Sequence, residues 1–255
     1  MTSTLSGRTA AITGGARGIG LTLARALAAE GASVALLDVL DTVADAATAV
    51  AEEFDVPTDG QQVDVTDQAA VADAFEVVRE RLGVPRVLVT AAGIEINGDS
   101  VKVTAEEWRK VIDVNLTGTF FSAQAFGDGV LSARASGSAI FIASMSGSIV
   151  NVPQWAASYN ASKAAVAHLG KSLAVEWAPA GIRVNSISPG YVLTDLTQAI
   201  LDEAPALHDE WVARIPQGRI AKPEDLSGLV TFLASDASAY LTAQDIVIDG
   251  GYTAV

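Results

Sequence analysis

A tyrosine and a lysine four positions apart are the pair of side chains with the clearest chemical meaning in the sequence. Tyr159 is the only one of the four tyrosines with a lysine at this distance, Lys163. On a helix this spacing puts both side chains on one face. A phenol with a pKa of about 10 is a weak base at neutral pH, and a neighbouring ammonium favours its ionised form. The pair therefore predicts a tyrosine that works as a general base or acid.

The strength of this interaction decides whether it matters at working pH. Two unit charges about 4 Å apart interact by roughly 4 kcal/mol at an effective dielectric constant of about 20. That energy corresponds to about three pKa units, so we expect Lys163 to lower the pKa of Tyr159 toward working pH. Such pairs also occur on solvated helices. The uncharged segment Ala143-Ser144-Met145-Ser146-Gly147, at the end of a predicted strand, favours the catalytic interpretation.

A glycine-rich segment between the first predicted strand and the first predicted helix could bind phosphate. It reads TGGARGIG at positions 13–20, a GxxxGxG spacing. A strand that runs directly into a helix presents free backbone N–H groups to a pyrophosphate, and glycines allow a tight turn and a close approach. The glycines alone fit a plain tight turn equally well. The loop residues that we expect to contact a dinucleotide are Gly14, Arg17, Gly18, Ile19 and Gly20.

An acidic residue at the end of the second predicted strand favours a dinucleotide. Asp38 stands twenty positions after Gly18, where a carboxylate can accept both ribose hydroxyls of the adenosine half. It would also repel a 2′-phosphate, which favours NAD over NADP. Arg17 points the other way, because a guanidinium beside the loop could bind that phosphate. We expect Asp38 to dominate, since Arg17 alone cannot remove the carboxylate charge from the ribose.

Two further segments follow predicted strands and could contact the same cofactor. Asp64-Val65 closes the third strand, where the carboxylate could bind the adenine amino group or only cap the next helix. Ala91-Ala92-Gly93 follows the fourth strand, and its small side chains would let it pass close under the cofactor. Packing alone could also select such small residues.

Composition excludes several other kinds of site. The 255 residues include 16 Lys and Arg against 30 Asp and Glu, a formal charge of −14, so no nucleic acid or anionic membrane is expected as a partner. The absence of cysteine excludes disulfides, thiolate zinc sites and cysteine catalysis, and two widely spaced histidines do not suggest a catalytic metal. The N-terminus has no apolar signal segment and no uncharged run resembles a membrane span, so we expect a cytoplasmic location.

Short β-branched runs alternate with longer stretches rich in Ala, Leu and Glu, which is typical of βαβ units and a parallel sheet. The predicted strands are Arg8–Thr13, Ser33–Asp38, Gln61–Val63, Val87–Thr90, Ala139–Ala143, Arg183–Ser188 and Asp245–Ile248. The predicted helices are Gly18–Glu30, Asp41–Phe54, Asp67–Leu82, Ala105–Leu131, Ala156–Trp177 and Pro223–Ala234. We expect Asp195–Ile215 to be irregular or only briefly helical. Without a linker or repeat, residues 1–255 are predicted to form a single α/β domain, a doubly wound parallel sheet of about seven strands flanked by helices.

Motifs spread in order along the chain resemble those of the short-chain dehydrogenase/reductase family. They are the TGGARGIG loop, Val114-Asn115-Leu116, Tyr159-Asn160-Ala161-Ser162-Lys163, RVNSISPG at 183–190 with Thr194, and Ile248-Asp249-Gly250-Gly251. The resemblance implies a Rossmann-like fold and an NAD-dependent oxidoreductase that interconverts a secondary alcohol and a ketone. Segments 144–154 and 248–253 are similar to the polyol branch, the galactitol and mannitol dehydrogenases, which implies a sugar alcohol and a ketose as substrates.

The resemblance also implies a role for each catalytic position. Tyr159 would be the general base in alcohol oxidation and the general acid in carbonyl reduction. Lys163 would lower its pKa and bind the nicotinamide ribose. Ser144 would hold the substrate oxygen, and Asn115 would fix a water that links Lys163 to solvent. The residues implied to hold the nicotinamide carboxamide are Pro189, Gly190, Val192 and Thr194.

The chain departs from the family's pattern at two points. It has Ala91-Ala92-Gly93 where the family usually has Asn-Ala-Gly, so a polar side chain that supports this region is missing. The family's usual interval of 13 residues before the tyrosine selects Ser146 for the substrate oxygen, whereas alignment from the strand end and from Gly147 selects Ser144. We predict Ser144 for this role and Ser146 as a hydroxyl on the substrate side.

The residues expected around the substrate are hydrogen-bonding groups, as a polyol requires. Asn151 and Gln154 could instead be turn residues, and Glu95 could point to solvent. The full predicted set is Glu95, Ser144, Ser146, Asn151, Gln154, Tyr159 and Tyr191.

Two other functions compete with the polyol interpretation. A dehydrogenase of small secondary alcohols, diols or hydrophobic ketones would use Trp155, Tyr191 and Trp211 near the mouth of the site. A non-catalytic NAD-binding regulator is disfavoured, because all four catalytic positions are present. The resemblance further implies a homotetramer that pairs through two long helices. Some relatives bind Mg²⁺ at the C-terminal carboxylate, a role that Val255 could take, although no acidic cluster requires a metal.

Overall fold

Seven parallel strands form the centre of the molecule in the computed structural model, which describes residues 4–255. The strands are β1 (Thr9–Thr13), β2 (Ser33–Asp38), β3 (Thr58–Gln62), β4 (Pro85–Thr90), β5 (Gly137–Ile142), β6 (Ile182–Pro189) and β7 (Asp245–Ile248). Their order across the sheet is β3-β2-β1-β4-β5-β6-β7. The direction of winding reverses between β1 and β4, and ligands of such sheets bind beside this point at the carboxyl ends of the strands. The predicted doubly wound fold is confirmed.

Helices cover both faces of the sheet. They are α1 (Gly18–Ala29), α2 (Val43–Phe54), α3 (Gln68–Leu82), α4 (Ala105–Ile112), α5 (Gly118–Ser132), α6 (Ala157–Trp177), α7 (Asp195–Glu203), α8 (Ala206–Arg214) and α9 (Ser227–Ala234). Within β1, Ile12 belongs to the core beneath α1, α2 and α9, whereas Ala11 belongs to the core beneath α3, α5 and α6. Because both faces of the central sheet are buried, β1, β2, β4 and β5 are mainly apolar instead of alternating with polar residues.

The segment predicted as one helix over 105–131 contains a local irregularity. It forms α4, a π-helical turn at Asp113–Thr117, and α5. Such single turns are rare and occur frequently at functional sites. This turn contains Asn115. The family motif predicted Asn115 as a site residue, whereas the helix pattern did not predict the π-helical turn.

The segment Asp195–Ile215 is more regular than predicted, because it forms α7 and α8 with a break at Pro205. Of the two predicted alternatives, the irregular segment is wrong and short helices are found. Trp211 is buried against the ring of Tyr191, so tertiary packing holds a helix whose sequence has only a weak apolar stripe.

The third strand begins earlier than predicted, at Thr58 instead of Gln61. Thr58-Asp59-Gly60 has the composition of a turn, but a Cβ on Gly60 would lie 2.8 Å from the Ala44 Cα of α2. The strand therefore uses glycine to pack a helix closely against the sheet. The other strands begin and end within two residues of their predicted bounds. No helix in the described part of the chain is both long and apolar enough to cross a membrane.

Candidate active site

Three of the four predicted catalytic side chains line one cavity beside the carboxyl ends of β4, β5 and β6. Tyr159 and Lys163 reach it from α6, and Ser144 reaches it from the segment after β5. The Ser144 hydroxyl acts on the Tyr159 phenol and lowers its pKa. Lys163 Nζ lies 5.6 Å from the centre of the Tyr159 ring and donates a hydrogen bond to the main-chain oxygen of Ile142 at 2.8 Å. The structure therefore brings a hydroxyl, a phenol and an ammonium together on one wall.

Burial controls the ionisation of the tyrosine and the lysine. Burial raises the pKa of Tyr159 well above its usual value, the charge of Glu95 raises it further, and the hydrogen bond with Ser144 lowers it. Burial lowers the pKa of Lys163 to about 8, and Glu95 opposes this shift. The predicted fall of the Tyr159 pKa toward working pH is therefore not found in the polypeptide by itself, because loss of hydration destabilises the phenolate more than its neighbours stabilise it.

Both candidate serines line the cavity. Ser144 Oγ accepts a hydrogen bond from the Ser146 backbone N–H at 3.1 Å, which fixes a short 3₁₀ turn after β5. Of the two serines, Ser144 is the one whose hydroxyl affects the pKa of Tyr159. This supports the choice of Ser144 for the substrate oxygen, and Ser146 lines the same cavity.

Asn115 lies behind the cavity wall and braces it. Its Oδ1 accepts from the Ile94 backbone N–H at 2.8 Å, and its Nδ2 donates to the Ile94 oxygen and to Ser162 Oγ, both at 2.9 Å. Ser162 Oγ donates to the main-chain oxygen of Tyr159 at 2.7 Å. Asn115 therefore joins the segment after β4 to the helix of the catalytic pair. Its implied role in fixing a water beside Lys163 stays a prediction.

The glycine loop leaves space where side chains would collide. A Cβ on Gly14 would lie 2.6 Å from the Ala92 backbone nitrogen, and one on Gly20 would lie 2.0 Å from the Gly14 oxygen. The Ala91 N–H donates to the Thr13 oxygen at 3.0 Å, so the loop and the segment after β4 are in direct contact. The small residues at these positions are therefore required by close packing as well as suited to a nearby cofactor.

Asp38 ties the end of β2 to this loop. Its Oδ2 accepts from the Ala16 N–H at 3.0 Å and its Oδ1 accepts from the Leu40 N–H at 3.1 Å. Its side chain is 8% exposed. Arg17 lies beside the loop on the surface and makes no ion pair among the residues that the structure describes.

Asp64 does not cap the helix that follows it. The capping residue is Asp67, whose carboxylate accepts from the N–H groups of Ala69 and Ala70. Asp64 instead accepts from the Thr66 N–H at 2.9 Å and the Thr66 hydroxyl at 2.8 Å. The capping alternative for Asp64 is therefore wrong, and the carboxylate stabilises a turn at the carboxyl end of β3. The adjacent Val65 is buried.

The residues predicted to bind the cofactor divide into two groups. One group lines the same cavity as the catalytic pair: Ile19, Ala91, Gly93, Tyr159, Lys163, Pro189, Gly190, Val192 and Thr194. The other group lies outside the cavity, in the glycine loop and at the ends of β2, β3 and β4: Gly14, Arg17, Gly18, Gly20, Asp38, Asp64, Val65 and Ala92. Together they follow the carboxyl edge of the sheet from β3 to β6.

The far wall of the cavity combines flat aromatic rings with unpaired polar atoms. The ring of Tyr191 stacks on Trp211 with a centroid distance of 4.0 Å, and the Tyr191 hydroxyl donates to Gln154 Oε1 at 3.5 Å. Asn151 Oδ1 and Trp211 Nε1 are buried and have no hydrogen-bond partner in the described residues. Glu95, whose pKa burial raises, lines the cavity as well. All the predicted substrate residues therefore line the same cavity.

Comparison with known proteins establishes the family. A family model described as enoyl-(acyl carrier protein) reductase matches residues 14–253. Galactitol 2-dehydrogenase (L-tagatose-forming) of Cereibacter sphaeroides is 41% identical over 98% of this chain and 96% of its own length. The chain is a member of the short-chain dehydrogenase/reductase family.

Solved structures agree with this assignment. A short-chain type dehydrogenase/reductase from Mycobacterium marinum superposes with a TM-score of 0.93 at 41% identity, covering 100% of this chain and 98% of that chain. A gluconate 5-dehydrogenase from Burkholderia cenocepacia, solved with NADP and tartrate, superposes with a TM-score of 0.93 at 35% identity, covering 100% of this chain and 98% of that chain. This member of the family is therefore an oxidoreductase that uses a nicotinamide cofactor, as its motifs predicted.

A magnesium site at the C-terminus does not fit this dehydrogenase. Val255 is 91% exposed. Across residues 4–255, no group of three or more His, Cys, Asp or Glu side chains is placed to hold a metal ion. We therefore assign no metal to this site.

Sequence reasoning missed several residues of the dehydrogenase site. Ser162 supports Tyr159 from within the same motif, and its spacing of three residues from Tyr159 was the available signal. Asn160 and Thr197 line the cavity. Trp211 was considered only as an apolar surface, and Trp155, named with it, is 58% exposed and does not line the cavity.

Proposed function

We propose that this chain is an NAD-dependent oxidoreductase that interconverts a secondary alcohol of a polyol and the ketone of a ketose, with Tyr159 as general acid and base. The observation that carries the substrate class is the pair of unpaired buried atoms, Asn151 Oδ1 and Trp211 Nε1. A substrate with several hydroxyls can give a donor to one atom and an acceptor to the other, whereas an apolar ketone leaves both unpaired. The name of the galactitol relative agrees with this class.

The proton chemistry belongs to the protein's own side chains. Ser144 and Tyr159 bind the reacting oxygen of the substrate. In ketone reduction the phenol donates its proton to this oxygen, and the raised pKa of Tyr159 keeps the proton available. In alcohol oxidation the phenolate takes the hydroxyl proton. Lys163, whose pKa is about 8, can release and take up a proton near working pH and so connects the phenol to solvent.

The glycine loop fits a dinucleotide. The backbone at Gly14 lies so close to Ala92 that a side chain would not fit there. Helix α1 begins directly after Arg17, and the N–H groups of its first turn are typical of a phosphate site. When bound, the nicotinamide cofactor supplies the hydride transfer, and its oxidised form adds a positive charge that favours the phenolate. The residues proposed to hold its nicotinamide end are Pro189, Gly190, Val192 and Thr194.

Asp38 supports NAD as the cofactor. Its carboxylate lies beside the phosphate loop at the end of β2, where it would accept ribose hydroxyls and repel a 2′-phosphate. Arg17 is the side chain that would favour NADP. The Burkholderia cenocepacia gluconate 5-dehydrogenase was solved with NADP bound. We infer a preference for NAD, because the Asp38 carboxylate is held in place by two backbone N–H groups and Arg17 extends from the surface.

An initial-rate screen tests the proposed function. Galactitol, mannitol, arabinitol, diols and simple secondary alcohols are each oxidised with NAD and with NADP. We expect the highest kcat/KM for a polyol with NAD. A preference for simple secondary alcohols, or an absence of turnover with every substrate, contradicts the proposal.

One observation favours a second substrate class. The stacked rings of Tyr191 and Trp211 and the buried side chain of Met145 give the cavity an apolar surface. A small hydrophobic ketone or alcohol would pack against it. The same screen separates this class, because it would then be preferred over every polyol.

We also propose that the enzyme is a homotetramer that pairs through α5 and α6. Apolar side chains on both helices are exposed in the single chain, among them Phe120, Leu131 and Val175. Light scattering of the purified protein tests this assembly, and a monomeric mass contradicts it.

A further inference from the structure

The cavity holds one acidic side chain that the proposed proton chemistry does not use. Glu95 follows the small residues after β4 and lines the same cavity as Tyr159 and Lys163. Its charge acts on both of these side chains, which lie on α6, and on Tyr191, which lies after β6. The carboxyl group therefore faces the space in which the substrate would lie.

The surroundings of Glu95 act on its ionisation in opposite directions. Burial raises the pKa of Glu95, whereas a hydrogen bond with Asn97 and the ammonium of Lys163 lower it. Tyr159 and Tyr191 face it as uncharged phenols, because burial raises their pKa values. The kinetic comparison is made at about pH 8, well above the ordinary carboxyl pKa of about 4.

The cavity wall is poor in positive charge for a negatively charged substrate. Among the described residues that line it, Lys163 is the only cationic side chain and Glu95 the only acidic one. The Lys163 ammonium already donates to the Ile142 oxygen. A substrate carboxylate would be buried near a like charge without an Arg or Lys of its own, which is strongly unfavourable. Hydroxyl groups, in contrast, can donate charge-assisted hydrogen bonds to Glu95.

We propose that Glu95 selects uncharged polyols and excludes sugar acids. The inference rests on the proposed function and deepens it, because it names the side chain that sets the charge of the substrate. It also distinguishes this chain from the structurally similar gluconate 5-dehydrogenase, whose named substrate carries a carboxylate.

Steady-state kinetics of Glu95→Gln test this role. Glutamine keeps the size and the hydrogen-bonding capacity of the side chain and removes its charge. With NAD, the ratio of kcat/KM for the best polyol of the screen to kcat/KM for gluconate is expected to fall at least tenfold, mainly through a higher kcat/KM for gluconate. The matched control is Glu106→Gln, which removes the same charge from an exposed position of α4 and leaves the ratio unchanged.

The outcomes separate this inference from the proposed function. If the wild-type enzyme oxidises polyols but Glu95→Gln changes the ratio less than tenfold, Glu95 does not select by charge and the proposed function stands. A wild-type enzyme that oxidises gluconate as well as polyols also overturns the role of Glu95. A wild-type enzyme that oxidises only simple alcohols overturns both. Glu95→Ala, measured in the same way, provides the second test if glutamine disturbs folding.

Discussion

Asn115 Nδ2 donates a hydrogen bond to Ser162 Oγ at 2.9 Å and so joins the π-helical turn to α6. Ser162 Oγ in turn donates to the main-chain oxygen of Tyr159. Asn115 also accepts a hydrogen bond from the Ile94 N–H and donates one to the Ile94 oxygen. These two buried side chains connect the segment after β4 to the first turn of the catalytic helix. The position of the phenol therefore depends on a residue 44 positions earlier in the chain (159 − 115 = 44).

Ser162→Ala tests this connection. The substitution leaves one N–H of Asn115 Nδ2 buried without an acceptor. We expect the free energy of unfolding to fall by about 1–3 kcal/mol and the melting temperature to fall by about 5 °C. We expect kcat to fall about tenfold with little change in the cofactor Kd, because the phenol is displaced and the phosphate loop is not. The control is Ser172→Ala, an exposed serine on the same helix. An unchanged kcat contradicts the positioning role of Ser162.

Asp38→Asn tests the cofactor preference. Asparagine keeps one side-chain acceptor near the loop but removes the charge that repels a 2′-phosphate. The ratio of kcat/KM for NAD to that for NADP is expected to fall at least tenfold. Asp41→Asn, an exposed carboxylate close by in the chain, is the control. An unchanged ratio would assign the preference to Arg17 or to another residue.

Trp211→Phe tests the polyol site. Phenylalanine preserves stacking with Tyr191 but lacks the buried N–H that we assign to a substrate hydroxyl. We expect KM for the best polyol to rise about tenfold, as for loss of one hydrogen bond, and KM for a simple secondary alcohol to stay unchanged. Trp155→Phe, which alters an exposed ring outside the cavity, is the control. Equal effects on both substrates refute a hydroxyl-binding role for Trp211.

Lys163 should make stability depend on pH. Its pKa is about 8 in the folded protein and about 10.5 unfolded, so between these values the unfolded chain binds more protons. Stability therefore rises with pH from about 8, by at most about 1.4 kcal/mol per unit. Above about pH 10 the raised pKa of Tyr159 acts in the opposite direction, because the unfolded tyrosine ionises first.

Urea unfolding of Lys163→Met between pH 8 and pH 10 measures this contribution. Methionine fills similar space without a titrating group, so the rise in stability should disappear in this variant. Lys171→Met, an exposed lysine on the same helix, should retain it. A rise of equal slope in Lys163→Met would show that another group causes the pH dependence.

The sequence predicts the architecture well, because regular βαβ alternation indicates a parallel sheet and because the loop and the Tyr159 motif follow particular strands of that pattern. Features that depend on packing between distant segments could not be predicted. The helix around Trp211 forms because its ring stacks on Tyr191. The early start of β3 depends on the fit of Gly60 against α2.

Ionisation was the property least accessible from the sequence. The spacing of Tyr159 and Lys163 predicts an attractive pair, but it contains no information on how much water the fold removes from each group. Burial raises the pKa of Tyr159 and lowers that of Lys163. Glu95, which follows β4, also lines the cavity and acts on both side chains.

Tyr159→Phe provides the most direct test that this phenol transfers the proton. Single-turnover and steady-state rates are measured with the best polyol, and the Kd of NADH is measured by fluorescence, with the exposed Tyr240→Phe as control. Loss of a general acid and base predicts a fall in kcat of about 10²–10⁴-fold, with the Kd of NADH within threefold of the wild-type value. A Tyr159→Phe enzyme whose kcat stays within tenfold of the wild type would contradict the account.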